Sequence, residues 1–355
     1  MTEVAAGSQT ASWPDLFSTL TARRDLSPEQ TSWAMAEIMS GAASTPKVAA
    51  FLVGLKTKGE SVAELTALAD TMLAHAVRIE VPGRTLDIVG TGGDRSHTVN
   101  ISTMSALVIA GAGITVVKHG NRAASSSSGS ADVLEELGIR LDHPPARVAE
   151  LATEVGITFC FAQVFHPSFR HTAAARTELG IGTAFNFLGP LTNPAQPRSG
   201  AIGVADPRMA PLMAGVLAQR GSSALVFRGE DGLDEIAPTG PTRIWEVRHG
   251  DVTESVVDWA TDLDVARIDL ASLRGAKADY NADVARRLLA GERGPVRETV
   301  VLNVAAALVA DGTLPGTADG TLVERLVAGR EHARQSLDSG AAADVLARWR
   351  AASGA

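Results

Sequence analysis

The first part of the chain carries its apolar residues at helical spacing. This pattern runs from about residue 14 to residue 77. Ser27-Pro28-Glu29-Gln30 and Ser61-Val62-Ala63-Glu64 each have the form of a capping box, in which a serine and a residue three positions later satisfy the free N–H groups of a helix start. We therefore predict a compact module of about four helices, closed by Pro82-Gly83.

From Leu86 onward the pattern changes to short β-like runs that alternate with helices. Such alternation predicts a mainly parallel sheet covered by helices, with ligands at the carboxyl ends of its strands. The predicted fold class is α/β, with a small all-helical domain at 13–82 and a large α/β domain at 83–355 whose central sheet is flanked by helices. Strands are expected at 86–89, 114–117, 157–162, 200–204, 223–227, 242–247 and 252–257, the last two as a pair joined through His249-Gly250.

Composition narrows the possible functions without identifying one. Of the 355 residues, 45% are apolar and 4% are aromatic, and the net charge is −8. This balance argues against a nucleic-acid groove. The single Cys160 excludes an intramolecular disulfide. We find no signal-peptide pattern and no apolar run of about 18 residues, so a cytoplasmic protein without a membrane span is expected.

The segment from Asp87 to Thr103 is the first candidate for chemistry. A short apolar run is followed by Gly90-Thr91-Gly92-Gly93-Asp94, and Asn100 then precedes a new helical run. Glycines let the backbone approach an anion, and the first N–H groups of a helix point toward it. A tight loop without function is the alternative for an isolated motif of this kind.

Two further loops follow predicted strands. Lys118-His119-Gly120-Asn121-Arg122 and the serine-rich run after it supply a cation, amides and hydroxyls for an oxyanion; a flexible linker is the alternative. Gly229 to Ile236 carries four carboxylates, which fit Mg²⁺ shared with a substrate phosphate, or else a solvated acidic turn. For the remaining candidates, a helical Arg176 is most often a surface arginine, His166 before a proline is equally often structural, and part of the run Gly189 to Pro194 is a rigid loop.

Taken together, these segments resemble the anthranilate phosphoribosyltransferases of tryptophan biosynthesis. The matching pieces are GTGGD with NIST, KHGNRA, HPSFR, FNFLGPLTNP and GLDE, in family order and across nearly the whole chain. Two other classes remain open: the pyrimidine nucleoside phosphorylases, which lack the KHGN and FNxLGPLxNP combination, and a nucleic-acid-binding family of similar fold, which the net charge disfavours.

The resemblance implies transfer of the 5-phosphoribosyl group from phosphoribosyl pyrophosphate (PRPP) to the amino group of anthranilate, with release of pyrophosphate. It also implies a homodimer that forms through the helical domain. From the composition and charge, we expect this protein to be cytoplasmic and to bind neither nucleic acid nor a membrane. The helical domain would take up further helical segments near 171–190, and the active site would lie between the two domains.

The resemblance also assigns roles to individual residues. Lys118, His119, Asn121 and Arg176 would be the catalytic residues, and two Mg²⁺ ions would be held by Ser102, Asp234 and Glu235. The residues facing anthranilate would be Gly90, His119, Asn121, Arg176, Gly189 and Pro190. PRPP would be bound by Gly90, Gly92, Gly93, Asp94, Thr98, Asn100, Ser102, Thr103, Lys118, Asn121, Arg122, Ser126 and Ser130.

Overall fold

A computed structural model describes residues 11–123 and 127–354 of the chain, which form two compact units. The helical unit comprises the described residues up to His75 together with Ser168–Leu188. The α/β unit comprises Ala76–Pro167 and the described residues from Gly189 onward. The domain limits 13–82 and 83–355 stay a prediction.

The elements follow the alternation expected from the sequence. The strands are β1 (Leu86–Gly90), β2 (Val116–Gly120), β3 (Ile157–Phe161), β4 (Ser199–Gly203), β5 (Ser223–Gly229), β6 (Thr242–Arg248) and β7 (Asp251–Val257). The helices are α1 (Trp13–Thr21), α2 (Pro28–Met39), α3 (Thr45–Lys58), α4 (Val62–Ala74), α5 (Ile101–Gly111), α6 (Ser130–Glu136), α7 (Pro145–Val155), α8 (Ala162–Phe165), α9 (Ala173–Leu179), α10 (Met209–Gln219), α11 (Trp259–Leu263), α12 (Ala278–Leu289), α13 (Pro295–Asp311), α14 (Leu322–Asp338) and α15 (Ala341–Ser353).

Both predicted capping boxes of the helical unit are present. Ser27 and Gln30 cap α2 reciprocally, and Ser61 and Glu64 cap α4. Glu64 is fully buried and does more than cap. Its Oε1 accepts the Leu26 N–H at 2.9 Å, and its Oε2 accepts the Lys58 ammonium at 2.7 Å. One buried carboxylate therefore joins the end of α3, the start of α4 and the loop before α2.

The predicted mainly parallel sheet is confirmed in the α/β unit. Its strand order is β3-β2-β1-β4-β5-β6-β7, parallel from β3 to β5, with β6 and β7 added antiparallel. Gly90 pairs with Gly203, and Gly203 pairs with Phe227. The carboxyl ends of these parallel strands therefore lie along one edge, which is where such sheets place ligands.

The strand expected at 114–117 was placed too early. In the structure β2 runs from Val116 to Gly120 and includes Lys118 and His119, which pair in parallel register with Phe159 and Cys160 of β3. The polar side chains do not end the strand because each finds a buried partner, as described below. Lys118 and His119 are therefore strand residues near the carboxyl end of β2, and they are not parts of a flexible loop.

Helices α5 and α13 are apolar on nearly every side and pack among other elements of the α/β unit. The end of α5 lies against α14 and α15. Ser336 donates a hydrogen bond to the Val108 carbonyl at 2.8 Å, and a Cβ added at Gly111 would lie 2.7 Å from the Ala342 nitrogen. Glycine is required there because the backbones approach so closely. Within the described part of the chain, we find no helix with both the length and the apolar character needed to cross a membrane.

We expect Gly111→Ala to destabilise the protein by about 1–3 kcal/mol, because the new methyl group must displace backbone of α15. Gly240→Ala is the matched control, since its nearest heavy atom, Nη1 of Arg267, would be 4.0 Å away. Thermal unfolding followed by circular dichroism measures both. Equal melting temperatures for the two variants would contradict the packing that the structure shows at Gly111.

Candidate active site

The glycine turn after β1 is shaped around the side chain of Asp234. The Gly92 N–H donates to Oδ2 of Asp234 at 2.6 Å, and a Cβ at Gly90 would lie 3.1 Å from the carboxyl carbon. On the neighbouring strand, a Cβ at Gly203 would overlap the Asp234 carbonyl. Gly92 and Gly93 have φ values of +70° and +89°, which favour glycine. The structure thus brings the predicted phosphate turn and the predicted metal carboxylate into contact.

The rest of the turn leads irregularly to α5. Asp94 is half-buried and accepts the Ser96 N–H at 3.1 Å. Thr98 forms an isolated antiparallel bridge with Arg274. Asn100 is the N-cap of α5 without a side-chain cap bond, and Ser102 is the second residue of the helix. The helix start expected from the sequence is confirmed, and its N-terminal residues lie close to the carboxylates described next.

Lys118 is a buried cation, with 1% of its surface exposed. Its Nζ donates to the Ile88 carbonyl at 2.6 Å and to Oγ of Ser102 at 3.1 Å. Burial lowers the pKa of Lys118, and the carboxylates of Asp87 and Glu235 act in the opposite direction. The ammonium is therefore fixed against β1 and the start of α5, where it faces acidic groups.

Three carboxyl groups, those of Asp94, Asp234 and Glu235, lie close to one another beside the glycine turn. Burial raises the pKa of Asp234 to about 7, the charge of Asp94 adds to that rise, and the Gly92 N–H opposes it. Burial and the charge of Asp234 raise the pKa of Glu235 well above its usual value, while Lys118 and a backbone hydrogen bond from Ser102 lower it. Such crowding of oxygen ligands is unfavourable for the charged forms unless a cation is bound.

The donor set fits magnesium. Mg²⁺ prefers oxygen ligands and is held by one or two carboxylates, with water and substrate phosphate completing its shell. Asp234 and Glu235 supply two buried carboxylates. Ser102, whose backbone N–H bonds to Glu235 and whose hydroxyl group accepts from Lys118, adds a further oxygen. Among the described residues no cluster of three or more His, Cys, Asp or Glu side chains could hold a metal by itself.

The other two carboxylates of the acidic loop have a different role. Glu230 is exposed and pairs with Arg243 at 2.9 Å, and Asp231 accepts the Thr239 hydroxyl at 2.7 Å. Only the second half of the loop turns inward. The four carboxylates that look equivalent in the sequence are thus divided into a buried pair and a surface pair.

His119 is held in one tautomer. Its Nδ1 lies 2.9 Å from the carbonyl oxygen of Gly189, which can only accept, so Nδ1 carries the proton. Nε2 is buried and has no hydrogen-bond partner among the described residues. The ring lies 5.1 Å from that of His166, centroid to centroid. Burial lowers the pKa of His119 to about 3 and that of His166 to about 4, so both imidazoles are neutral near pH 7.

A buried carboxylate that the sequence analysis did not identify, that of Asp87, holds the backbone of His119 in place. Asp87 accepts the His119 N–H at 3.2 Å and the Asn193 amide at 2.8 Å, and Asn193 also donates to the Val117 carbonyl at 2.7 Å. Burial raises the pKa of Asp87 to about 6, partly offset by Lys118. Gly189 and Pro190 lie next to this network in a 3₁₀ turn. Asn193 was visible in the sequence only as part of a rigid-looking loop.

The loop after β2 is described only in part, because Ser126 lies outside the described residues. Asn121 is exposed, and Ser130 begins α6. Arg122 forms ion pairs with Asp132 at 3.0 Å and with Glu135 at 2.5 Å. Its guanidinium group is therefore directed at carboxylates of the α6 segment, and a phosphate would have to compete with them.

The structure adds a polar contact that the sequence did not reveal. Asn281 of α12 donates to Oδ1 of Asn100 at 2.8 Å and to Oγ of Ser128 at 2.9 Å, and Ser128 donates to Asn100 at 3.1 Å. These three buried or half-buried side chains fix the start of α5. Thr103, one turn on, is buried with an Oγ1 that has no partner among the described residues.

Arg176 belongs to the helical unit. It lies on α9, half-buried, with its guanidinium carbon 5.0 Å from the centre of the Phe169 ring. Burial lowers the pKa of Arg176. The contact with the aromatic ring restricts the orientation of the guanidinium group.

Comparison with known proteins places this arrangement in a family. The chain matches two family models, the helical bundle domain of a glycosyl transferase family over residues 14–76 and the α/β domain of that family over residues 82–343. An anthranilate phosphoribosyltransferase from Nocardioides sp. is 61% identical over 342 residues, which are 96% of this chain and 99% of that protein. One from Streptomyces griseus is also 61% identical, over 97% of this chain and 96% of that protein.

Solved structures agree. The anthranilate phosphoribosyltransferase from Thermus thermophilus is 41% identical, with a TM-score of 0.88 over 96% of this chain and 100% of that one. The enzyme from Saccharomyces cerevisiae, in complex with PRPP and Mg, is 25% identical, with a TM-score of 0.85 over 96% of this chain and 98% of that one. The chain therefore belongs to the anthranilate phosphoribosyltransferases, within the glycosyl transferase family that the two models describe.

Proposed function

We propose that this protein transfers the 5-phosphoribosyl group from PRPP to the amino group of anthranilate and releases pyrophosphate. The observation that carries the proposal is the meeting of the Gly90–Asp94 turn, Lys118 and the Asp234–Glu235 pair at one edge of the sheet. Glycine backbone, a buried ammonium and a metal-binding acid pair are the groups that a diphosphate requires. The identity of 61% with named relatives over almost the whole chain supports this reaction.

The difficult event in this reaction is the departure of pyrophosphate from the anomeric carbon, while positive charge develops on the ribose. Lys118 and the backbone N–H groups of the glycine turn would stabilise the negative charge that grows on the leaving group. The amine of anthranilate is neutral near pH 7 and is already nucleophilic, so no strong general base is demanded. The neutral imidazoles of His119 and His166 agree with such chemistry.

Asp234, Glu235 and Ser102 would hold Mg²⁺. When bound, the metal neutralises charge on the pyrophosphate and helps it to leave. The half-buried Asp94 adds its negative charge to that of the buried Asp234–Glu235 pair, which supports the binding of more than one cation. We accordingly include two Mg²⁺ ions in the proposal.

We assign the remaining residues to the two substrates by their positions in the chain. The turn residues Gly90, Gly92, Gly93, Asp94 and Thr98 would contact the pyrophosphate end of PRPP. The other PRPP residues would be Asn100, Ser102, Thr103, Lys118, Asn121, Arg122, Ser126 and Ser130, and anthranilate would meet Gly90, His119, Asn121, Arg176, Gly189 and Pro190. Orientation of the second substrate converts an encounter into a positioned reaction. A homodimer formed through the helical unit and a cytoplasmic location complete the proposal.

A fluorescence assay tests the reaction directly. We expect the fluorescence of anthranilate to fall only when the protein, PRPP and Mg²⁺ are all present. Omission of each component in turn is the control. Unchanged fluorescence together with phosphate-dependent cleavage of a pyrimidine nucleoside would refute the proposed reaction in favour of a phosphorylase. Salt-dependent binding of nucleic acid without turnover would refute it in favour of a binding protein.

The double variant Asp234→Asn, Glu235→Gln tests the metal site. We expect turnover to fall on the order of a hundredfold or more, because the leaving group loses its main electrostatic support. The fold should be retained, since both carboxylates are held in surroundings that raise their pKa values and thus disfavour their charge. Glu230→Gln is the matched control from the same loop, exposed and paired only at the surface. Wild-type turnover in the double variant at ordinary Mg²⁺ concentrations would rule out the metal assignment.

Arg176→Ala tests the anthranilate contact. We expect the KM for anthranilate to rise about 10- to 100-fold and the KM for PRPP to stay within about twofold, because one charge-assisted contact to the carboxylate is lost. Steady-state kinetics with each substrate varied in turn measures this split. Arg24→Ala, at an exposed position of the same unit, is the control. An unchanged anthranilate KM would show that Arg176 acts only in packing against Phe169.

A further inference from the structure

A cavity of about 220 Å³ opens in the α/β unit where α12, the start of α13 and the segment around Arg274 come together. Buried apolar side chains, among them Val99, Val284 and Leu288, form part of its wall. None of the residues predicted to bind PRPP, anthranilate or metal lines it. Its volume is below the roughly 300–1,000 Å³ of drug-sized ligand sites, so a ligand would be small.

The charged residues around this cavity are mainly arginines. Arg274, Arg287, Arg293 and Arg297 line it, against a single carboxylate, Glu292. That carboxylate lies 3.4 Å from Nε of Arg287. The wall therefore carries three more positive than negative side chains, although one of them, Arg297, is paired with Asp338 outside the wall. The net charge of the whole chain is −8. Guanidinium groups are the side chains best suited to bind phosphate and carboxylate.

Arg297 gives the cavity an incompletely satisfied donor. Only 4% of the residue is exposed, and Nη2 donates to Asp338 at 2.7 Å. Nη1 is buried and has no hydrogen-bond partner among the described residues. A buried donor on a charged group is costly when it is left unpaired.

The start of α13 adds to this positive potential. The helix has 17 residues, begins at Pro295 and has Gly294 as an N-cap that supplies no side-chain acceptor. Gly294 and Pro295 both line the cavity. Because the free N–H groups and the helix dipole favour an anion at this end, the backbone and the arginines act in the same direction.

We infer that this cavity binds a small organic anion. Its phosphate or carboxylate group lies among the arginines and the start of α13, and its apolar part lies on Val284 and Leu288. The site is separate from the predicted transferase site and does not depend on the proposed reaction.

The single tyrosine of the chain makes the site observable. Tyr280 lines the cavity and is 47% exposed. Protein grown with 3-fluorotyrosine therefore gives one fluorine NMR resonance, from the cavity itself. We expect phenyl phosphate to shift this resonance in a saturable way, and Arg287→Gln combined with Arg293→Gln to weaken the binding at least about tenfold. Both arginines are exposed, so the variant keeps its fold, which circular dichroism checks.

The controls separate the sources of the acid group. Arg348→Gln, an exposed arginine of α15 outside the cavity wall, should leave the affinity unchanged. Saturable binding of phenylacetate in place of phenyl phosphate would support the site and identify its ligand as a carboxylate. No saturable shift with either compound, equal affinity in the double variant, or equal affinity for inorganic phosphate would overturn the inference.

Discussion

The burial of two adjacent carboxylates at the carboxyl edge of the sheet is the constraint on which the rest of the site depends. Asp234 fits between β1 and β4 only because Gly90 and Gly203 carry no side chain there. The Gly92 N–H donates a hydrogen bond to Asp234, and this contact fixes the glycine turn. The charge of Glu235 is stabilised by Lys118 and by the backbone N–H of Ser102. These contacts satisfy the pair only in part, as the raised pKa values show. This buried negative charge supports the proposal that a cation binds here.

Local signals in the sequence were sufficient for most of the fold. Capping boxes at Ser27 and Ser61 act over three residues, and alternation of strands and helices is a property of short windows, so both could be read without tertiary information. The pair of strands joined through His249-Gly250 was predicted for the same reason and is confirmed, since β6 and β7 pair antiparallel. The end of β2 was missed because a lysine and a histidine seldom continue a buried strand unless distant partners satisfy them.

The parts of the site that the sequence did not reveal all depend on such distant partners. Asp87 is a buried acid inside a strand, and its role appears only when Asn193 and the backbone of His119 meet it. Asn281 looks like any polar residue of an amphipathic helix until it bonds to Asn100 and Ser128. Arg122 also depends on a partner outside its motif, because its ion pair with Glu135 on α6 could not be predicted from the motif that contains Arg122. Motif spacing identifies the residues, but the pairing among them is set by the tertiary fold.

An acidic chain that handles acidic ligands must solve its electrostatics locally. Exposed charges are screened within about 8–10 Å at physiological ionic strength, so the net charge of −8 has little influence inside a site that is lined by buried groups. The two proposed sites would achieve a positive local charge in different ways. At the proposed transferase site, carboxylates would face the diphosphate and would need a metal ion to reverse the sign of the local charge. At the start of α13, guanidinium groups and a helix terminus supply the positive charge directly. Removal of divalent cations would thus abolish anion binding at the sheet edge and leave it intact at the start of α13. Only the site at the sheet edge depends on a charge that the chain does not carry.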